Sequence, residues 1–429
     1  MNKPKENQIY DLCCELFPIN RSITGAGVRE TLSILQRELP DFNIREIPSG
    51  TNCFDWIIPD EWNIKDAYII DPDGNKIIDF KENNLHVVGY STPIDLTLSL
   101  DKLKNKLYSL PDQPTAIPYI TSYYERDWGF CISEEQKKNL KNGNYRVFID
   151  SEFTNGVMNY GELFLEGSST DEVFLSTYIC HPSMANNELS GPAVTTHIAK
   201  HLQSIKNRRN SYRFIFIPET IGSIAYLSKN LDHLKENMIA GFNVTCVGDN
   251  NNYSYLPSRN EKTLADKVAL HVLNHLKINY KKYSFLDRGS DERQYCYPGI
   301  DLPVASIMRS KYGSYDEYHT SLDDLSFISM EGLNGAYNVY IKAIESLELN
   351  QRFKNIVLCE PQLSKRGLYP SLSTKESNEN VDTMMDLLTY IDGDSDLLSI
   401  AEKINKPIWE LTEIIDSLKD SNLITSVDS

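Results

Sequence analysis

A histidine and a glutamate stand where two short apolar runs of this chain end, a second histidine follows in a later polar stretch, and those residue types suit metal-assisted hydrolysis. In "ICHPSMANNELSGPAV" (179–194) His181 directly follows an apolar run and Glu188 lies in the loop beyond it. Glu219 ends a second such run in "IPETIGS", and "EYHTSLDDL" brings Tyr318 and His319. Two neutral imidazoles can hold a divalent cation, and a carboxylate in the same cleft can take the proton of a bound water. Singly each signal is weak: a histidine beside a strand is commonly a satisfied structural residue, and a glutamate after a strand commonly sits at a helix N-terminus. His197 and His201 are spaced i, i+4, but "HIAKH" lacks the glutamate after the first histidine that a zincin helix uses. They read as helix-face residues. In "DRGSDERQYCYPGIDLP", Asp291, Glu292 and Arg293 follow a Gly-Ser turn. With Arg309 and Tyr318 they would line the cleft mouth and read a substrate carboxylate or amine, or else form a structural ion-pair network. Tyr295 and Tyr297 read as packing residues.

What must position these side chains is an α/β scaffold. From about 172 onward, apolar runs ("EVFLSTYIC", "YRFIFIPE", "IAGFNVTCVG", "PVASIM") alternate with amphipathic helical stretches such as "GPAVTTHIAKHLQSI" and "SIAYLSKNLDHLKEN". That rhythm predicts a mixed, mostly parallel sheet covered by helices, with ligands beyond the carboxyl ends of the strands. Two helices precede it, over "IYDLCCELFPI" and "VRETLSILQREL". Between them and the sheet lies a stretch rich in Tyr, Trp and Pro, with short extended runs and a D-P-D-G turn, predicted as a β-rich inserted module. Its "YYERDWGF" and "HVVGYS" supply aromatics that either stack on a sugar ring or form a small core. After about 365, "SKRGLYPSLSTKESNEN" reads as a polar linker. The remainder has helix-turn-helix rhythm, with a second helix starting at Pro407.

Composition narrows the function classes. With 429 residues, 41% apolar and 24% charged, and no apolar run near the ~18 residues of a membrane span, the chain reads as soluble, not membrane-bound and cytoplasmic. Eight scattered cysteines without a C-x-x-C pair predict reduced, mostly buried thiols. A formal net charge of -17 argues against nucleic acid as a partner. Residues 375–429 carry thirteen acids against four lysines, which favours docking or homo-oligomer formation through this segment.

Taken in order, strand-His, "ANNELSG", "PETIGS", "GSDERQY" and "YHTSLDD" resemble the M28-type zinc aminopeptidases. More closely, "LFPINRSITGAGVRETL", "HVVGYSTPID", "IPYITSYYERDWGFC" and "EYHTSLDDLSFIS" resemble the DUF4910 family, aminopeptidase-like proteins with an inserted DUF2172 domain and a C-terminal winged helix. That resemblance implies an aminopeptidase-like domain over 1–54 and 161–365, an inserted domain over 55–160 and a winged helix over 370–429. It also implies gene neighbourhoods of surface-polysaccharide or secondary-metabolite biosynthesis.

Carried over residue by residue, the resemblance puts His181 and His319 on metal-ligand positions and Glu219 on the general-base position. Asn187 stands where an aspartate bridges two metals, Thr220 where a second glutamate binds, Thr245 where an aspartate ends its strand, and Ser183 where an aspartate orients the first histidine. Two cations a few ångströms apart need bridging negative charge, so one zinc is expected rather than two. The third ligand stays open among Glu188, Asp249 and the Asn187 carbonyl, and the alternative for Glu188 is to turn away and hold the loop. The expected activity is hydrolysis of an amide, peptide or aminoacyl bond on a peptide-like or small-molecule substrate. The alternatives are a non-catalytic binding or scaffold protein, and an amide-forming or acyl-transfer enzyme of glycan assembly.

Overall fold

The computed structural model describes residues 7–368 and 375–427, in two compact units: 1–265 with 280–337, and 266–279 with 338–429. The first unit is built on an eight-stranded sheet whose central strands are the apolar runs. Strand Glu172–Tyr178 is buried at every position, as a strand covered on both faces must be. It pairs in parallel with Ser211–Ile217 on one side and Met238–Asn243 on the other, and the latter pairs in parallel with Val304–Met308. The flanks are antiparallel: Val157–Leu165 runs against Ser211–Ile217 and carries Asn43–Pro48, while Tyr253–Leu256 runs against Val304–Met308. Sequence reading caught the parallel centre. It missed the last strand, Tyr280–Lys282, which is too short and polar to show a pattern.

Helices Gln8–Leu16 and Ala26–Glu38 form where periodicity placed them, each burying its apolar stripe. Helix Ser190–Ser204 is buried along most of its length, and Ile221–Asn237 follows the second central strand. The segment expected as a loop over 183–191 is instead helical: Ala185–Leu189 makes one wide turn, with the Leu189 N–H on the Met184 carbonyl, and runs straight into Ser190–Ser204. Such wide turns often occur at functional sites.

The β-rich stretch folds as a four-stranded antiparallel sheet in the order Lys76–Asp79, Glu61–Ile70, Asn144–Thr154, Ile94–Ser99. Ala67, Ile69, Leu103, Tyr145 and Val147 give it its own core. Asp71 makes the expected turn by accepting the Asp73 and Asn75 N–H groups on Oδ1, with Gly74 at φ +89°. One segment of this stretch reaches the α/β part directly. The Tyr119 N–H donates to the His319 carbonyl at 2.8 Å, Ser321 N–H to the Ile117 carbonyl, and Ile117 N–H to Ser321 Oγ. The backbone of His319 is thereby laid against the inserted stretch.

In the second unit, strands Asp392–Asp396, Arg352–Asn355 and Ile424–Ser426 pair as a small antiparallel sheet, with helices Lys375–Tyr390, Leu397–Lys403 and Thr412–Asp420. Two expectations are corrected there. Pro407 does not open the second helix: it precedes a single tight turn, Ile408–Glu410, and the helix begins at Thr412. The polar linker is helical from Lys375, while its 369–374 part lies outside the described residues. All eight cysteines are free, and only Cys14 and Cys359 are not fully buried.

Candidate functional site

The chemistry-bearing residues converge at the carboxyl ends of the parallel strands, on strained backbone. Ser183, Thr220, Cys246 and His319 all adopt positive φ without being glycine, at +39°, +66°, +51° and +57°. Such conformations cost of order 1–3 kcal/mol each and cluster where a chain must aim side chains. The imidazoles of His181 and His319 meet with ring centroids 5.3 Å apart, and the Tyr119 ring packs against both at 5.1 and 5.2 Å. Glu219 Oε2 lies 3.7 Å from His181 Nε2. Burial lowers both histidines to about 3, with Arg21 adding to it for His181 and His181 for His319, so both rings are neutral at pH 7.

Glu188 turns away from the cleft and holds His181 from behind. Its Oε2 lies 2.8 Å from His181 Nδ1, while Arg21 Nε stands 3.6 Å from its other oxygen, both side chains wholly buried. Arg21 is fixed by donating to the His181 and Leu16 carbonyls. Burial pushes the Glu188 carboxyl up and Arg21 pulls it back. Because a guanidinium keeps its proton, the buried pair is charge-balanced only with Glu188 ionised. His181 Nδ1–H then donates to Glu188, which leaves the Nε2 lone pair free on the cleft side. That is the carboxylate–histidine support found behind metal-bound imidazoles. Ser183 has no such role; its hydroxyl bonds to Asn84 and to the Phe17 carbonyl.

The neutral replacements are tied to one another. Asn187 Oδ1 accepts from Tyr178, whose hydroxyl also meets Thr245 Oγ1 at 2.6 Å, and the buried Asn187 Nδ2 has no partner. A buried donor lacking an acceptor is the opposite of what a cation requires. Thr220 gives its N–H to Asp291 and accepts from Arg293 Nη2 at 2.5 Å. Asp249 is saturated by Ser310, Asn251 and Asn186. Two neutral imidazoles face the cleft as donors with the Glu219 carboxylate beside them, a set compatible with a divalent ion of the zinc type.

Several sequence expectations for the cleft mouth need correction. Asp291 is buried and anchors Thr220 N–H and Ser223 Oγ, so it positions the turn after the second central strand. Glu292 is buried under Gly289, Ser290, Tyr312 and Asn243. Arg309 is buried against the Tyr253 ring and donates to the Asp249 carbonyl and Asn250, away from the cleft. Tyr318 stacks on His319 at 3.9 Å and steadies that ring. Tyr295 packs as expected, but Tyr297 is 63% exposed. Arg293 alone of the group lines the cavity, with its Nε buried and unpartnered. His197 bonds Ala193 of its own helix and takes no part.

The cleft is a cavity of about 330 Å³. One wall comes from the inserted stretch, through Trp56, Tyr119, Thr121, Tyr123 and Tyr124, and Cys180 lies at its floor, with its sulfur accepting the Glu219 N–H. Of these, Tyr123 and Tyr124 open "YYERDWGF", whose aromatics the sequence offered either to a sugar ring or to a small core, while Trp56, Tyr119, Thr121 and Cys180 were not singled out. A second histidine pair, His271 and His275, gathers with Glu402 in the second unit. There His271 Nε2 accepts the Ile408 N–H, so Nδ1 carries the proton it shares with Glu402. That arrangement is a structural clasp, since no ring lone pair of His271 is left for a metal.

This sheet, its strand-end site and its helices define an aminopeptidase-like α/β fold, that of the M28-type zinc aminopeptidases. A zinc aminopeptidase from Bacillus subtilis superposes with a TM-score of 0.58 at 14% identity, over 80% of this chain and 95% of the other. The chain belongs to the DUF4910 family, a domain of unknown function, matched over residues 10–350, and a winged helix-turn-helix model matches 351–426. A Clostridium acetobutylicum protein is 44% identical over 422 residues, 98% of this chain and 96% of its own. It is provisionally named a polysaccharide biosynthesis protein with an aminopeptidase-like domain. A crystal structure from the same organism, provisionally named a peptidase, superposes with a TM-score of 0.93 at 43% identity, over 98% and 96% of the two chains. Among the described residues no helix is long and apolar enough to cross a membrane.

Proposed function

We propose that the chain is a metal-dependent amide hydrolase using a single zinc. The observation that carries this reading is the meeting of His181, His319 and Glu219 in one cavity, with Glu188 braced behind His181. His181 Nε2 and the His319 ring would hold the ion; bound there, it would polarise the acyl oxygen of a substrate. Glu219 moves the proton. Burial, and next the charge of Asp291, push its carboxyl up to about 8, so it holds a proton when no cation stands nearby and ionises when opposite charge approaches. In the reaction the acyl C–N bond breaks, the water oxygen joins the acyl carbon, and Glu219 passes a water proton to the leaving nitrogen. Arg293 orients the substrate from the rim. The name of the Clostridium relative supports a place in polysaccharide biosynthesis, and the free thiols support a cytoplasmic setting. We place the inserted domain at 55–160 and the winged helix at 370–429, with the latter a docking or self-association module. The neutral Asn187, Thr220 and Thr245 favour a second reading, a binding protein or a non-hydrolytic acyl-transfer enzyme on the same fold.

Metal analysis of protein purified without added zinc tests the first reading. About one equivalent is expected in the wild type and none in His181→Ala. A wild type that takes up no zinc when titrated overturns it. Release of aniline from aminoacyl or N-acyl anilides then separates hydrolysis from acyl transfer.

A further inference from the structure

The cavity wall supplied by the inserted stretch bears on what the cavity accepts. Trp56 sits on a short hairpin, Asn52–Cys53 paired with Trp56–Ile57, and Tyr124 on the loop across from it; both line the cavity. They remain 40% and 54% exposed, with their rings edge-to-face at 5.8 Å. The Tyr124 hydroxyl reaches back to the Ile57 carbonyl, which holds its ring against the hairpin. Large rings left open at a cavity mouth present flat faces to an entering ligand. Around them the lining mixes apolar Ile23 and Ile221 with the hydroxyls of Thr121, Tyr123 and Thr220, the last two already meeting Tyr119 and Arg293, and Arg293 is the one Lys or Arg. Its Nε is a buried donor without an acceptor.

Flat aromatic faces beside a rim of hydroxyls and one unsatisfied donor complement a ligand with an apolar face and a polar edge. A pyranose has that form: axial C–H groups on one face and hydroxyls around the ring. A cavity of about 330 Å³ holds one such ring with a small substituent. We propose that Trp56 and Tyr124 form a sugar platform and that the ligand is an N-acylated amino sugar. Its ring stacks on the platform, its hydroxyls meet Arg293 and Thr121, and its acylamino group enters between His181, His319 and Glu219. The assignment rests on the amide-hydrolase reading for the bond that enters, but the platform binds without any metal.

Saturation-transfer NMR and calorimetry with the methyl glycosides of N-acetylglucosamine and N-acetylgalactosamine test it, on chelator-treated protein and again with one equivalent of zinc. Saturable binding of at least one glycoside is expected in both states, with transfer strongest to the protons of one ring face. Trp56→Ala and Tyr124→Ala should each weaken it at least ten-fold, while Leu358→Ala, at a 97% exposed position in the second unit, should not. Because both aromatics are exposed, the variants keep the core, which far-UV circular dichroism confirms. Absence of binding by either glycoside overturns the proposal even if zinc binds and anilides are cleaved, as does affinity that survives Trp56→Ala and Tyr124→Ala. Glycoside binding that needs Trp56 in a protein that takes no zinc leaves the platform standing and removes only the hydrolase reading.

Discussion

The fate of one carboxylate decides how this site is read. Glu188 is the nearest acidic side chain to His181 in sequence, so sequence alone left it between ligand and support. Its contact with Nδ1, opposite the cleft-facing Nε2, makes it support. Glu188→Gln should therefore lower zinc affinity about 10–100-fold rather than abolish it, as loss of such supporting partners typically does. Competition with a chelating dye measures this, and an unchanged affinity would remove Glu188 from the site. The substitution also leaves the buried Arg21 guanidinium without its counter-charge, at a cost of about 3–5 kcal/mol in stability. His181 and Glu219 were legible because each follows an apolar run, where an α/β sheet puts its ligands, whereas His319 stands in the polar "EYHTSLDDL" and was marked by its residue type and the family resemblance. Arg21 was not: its bond to the His181 carbonyl joins residues 160 apart, and no local pattern encodes such a pairing.

Elements show the same division. The central strands were readable because burial on both faces demands unbroken apolar runs, whereas strand Asp392–Asp396, "DGDSD", exists only because its backbone pairs with Arg352–Asn355. The wide turn Ala185–Leu189 escaped because "ANNEL" has loop composition; buried Asp323 stabilises it by accepting the Asn186 and Asn187 N–H groups. Polar anchoring of this kind has a measurable consequence at the start of strand Glu172–Tyr178. Glu172 is buried there and takes paired hydrogen bonds from Arg213 at 2.8 and 3.0 Å. Burial alone would raise its carboxyl, but Arg213 and then His233 outweigh that and hold it below the usual range. A depressed carboxylate contributes stability that is complete above its unfolded value of about 4.3 and fades as pH falls through the folded value. Glu172→Gln should thus cost about 2 kcal/mol at pH 7, with the deficit shrinking below about pH 4. Urea midpoints at pH 7 and 3.5 check it; a deficit equal at both would show that the carboxylate charge does not matter.

On the scale of the whole molecule, a winged helix-turn-helix would ordinarily suggest DNA, and charge argues against it. Such motifs lay the second helix in the major groove and fix their register through phosphate contacts from lysine and arginine. Here that helix is Thr412–Asp420, "TEIIDSLKD", which sets Glu413, Asp416 and Asp420 against Lys419 alone. Across the matched winged-helix stretch, residues 351–426, thirteen acids stand against eight lysines and arginines, in a chain of formal net charge -17. With acids in excess of cations, the salt-dependent counterion-release term that supplies most nonspecific affinity is weak or reversed. The full-length protein should leave a labelled duplex unshifted at about 50 mM salt, with any dissociation constant above the roughly 100 µM that bounds ordinary nonspecific binding. Fluorescence anisotropy across a salt series is the decisive measurement. Binding that strengthens as salt falls would overturn this expectation and return the module to the DNA-binding class.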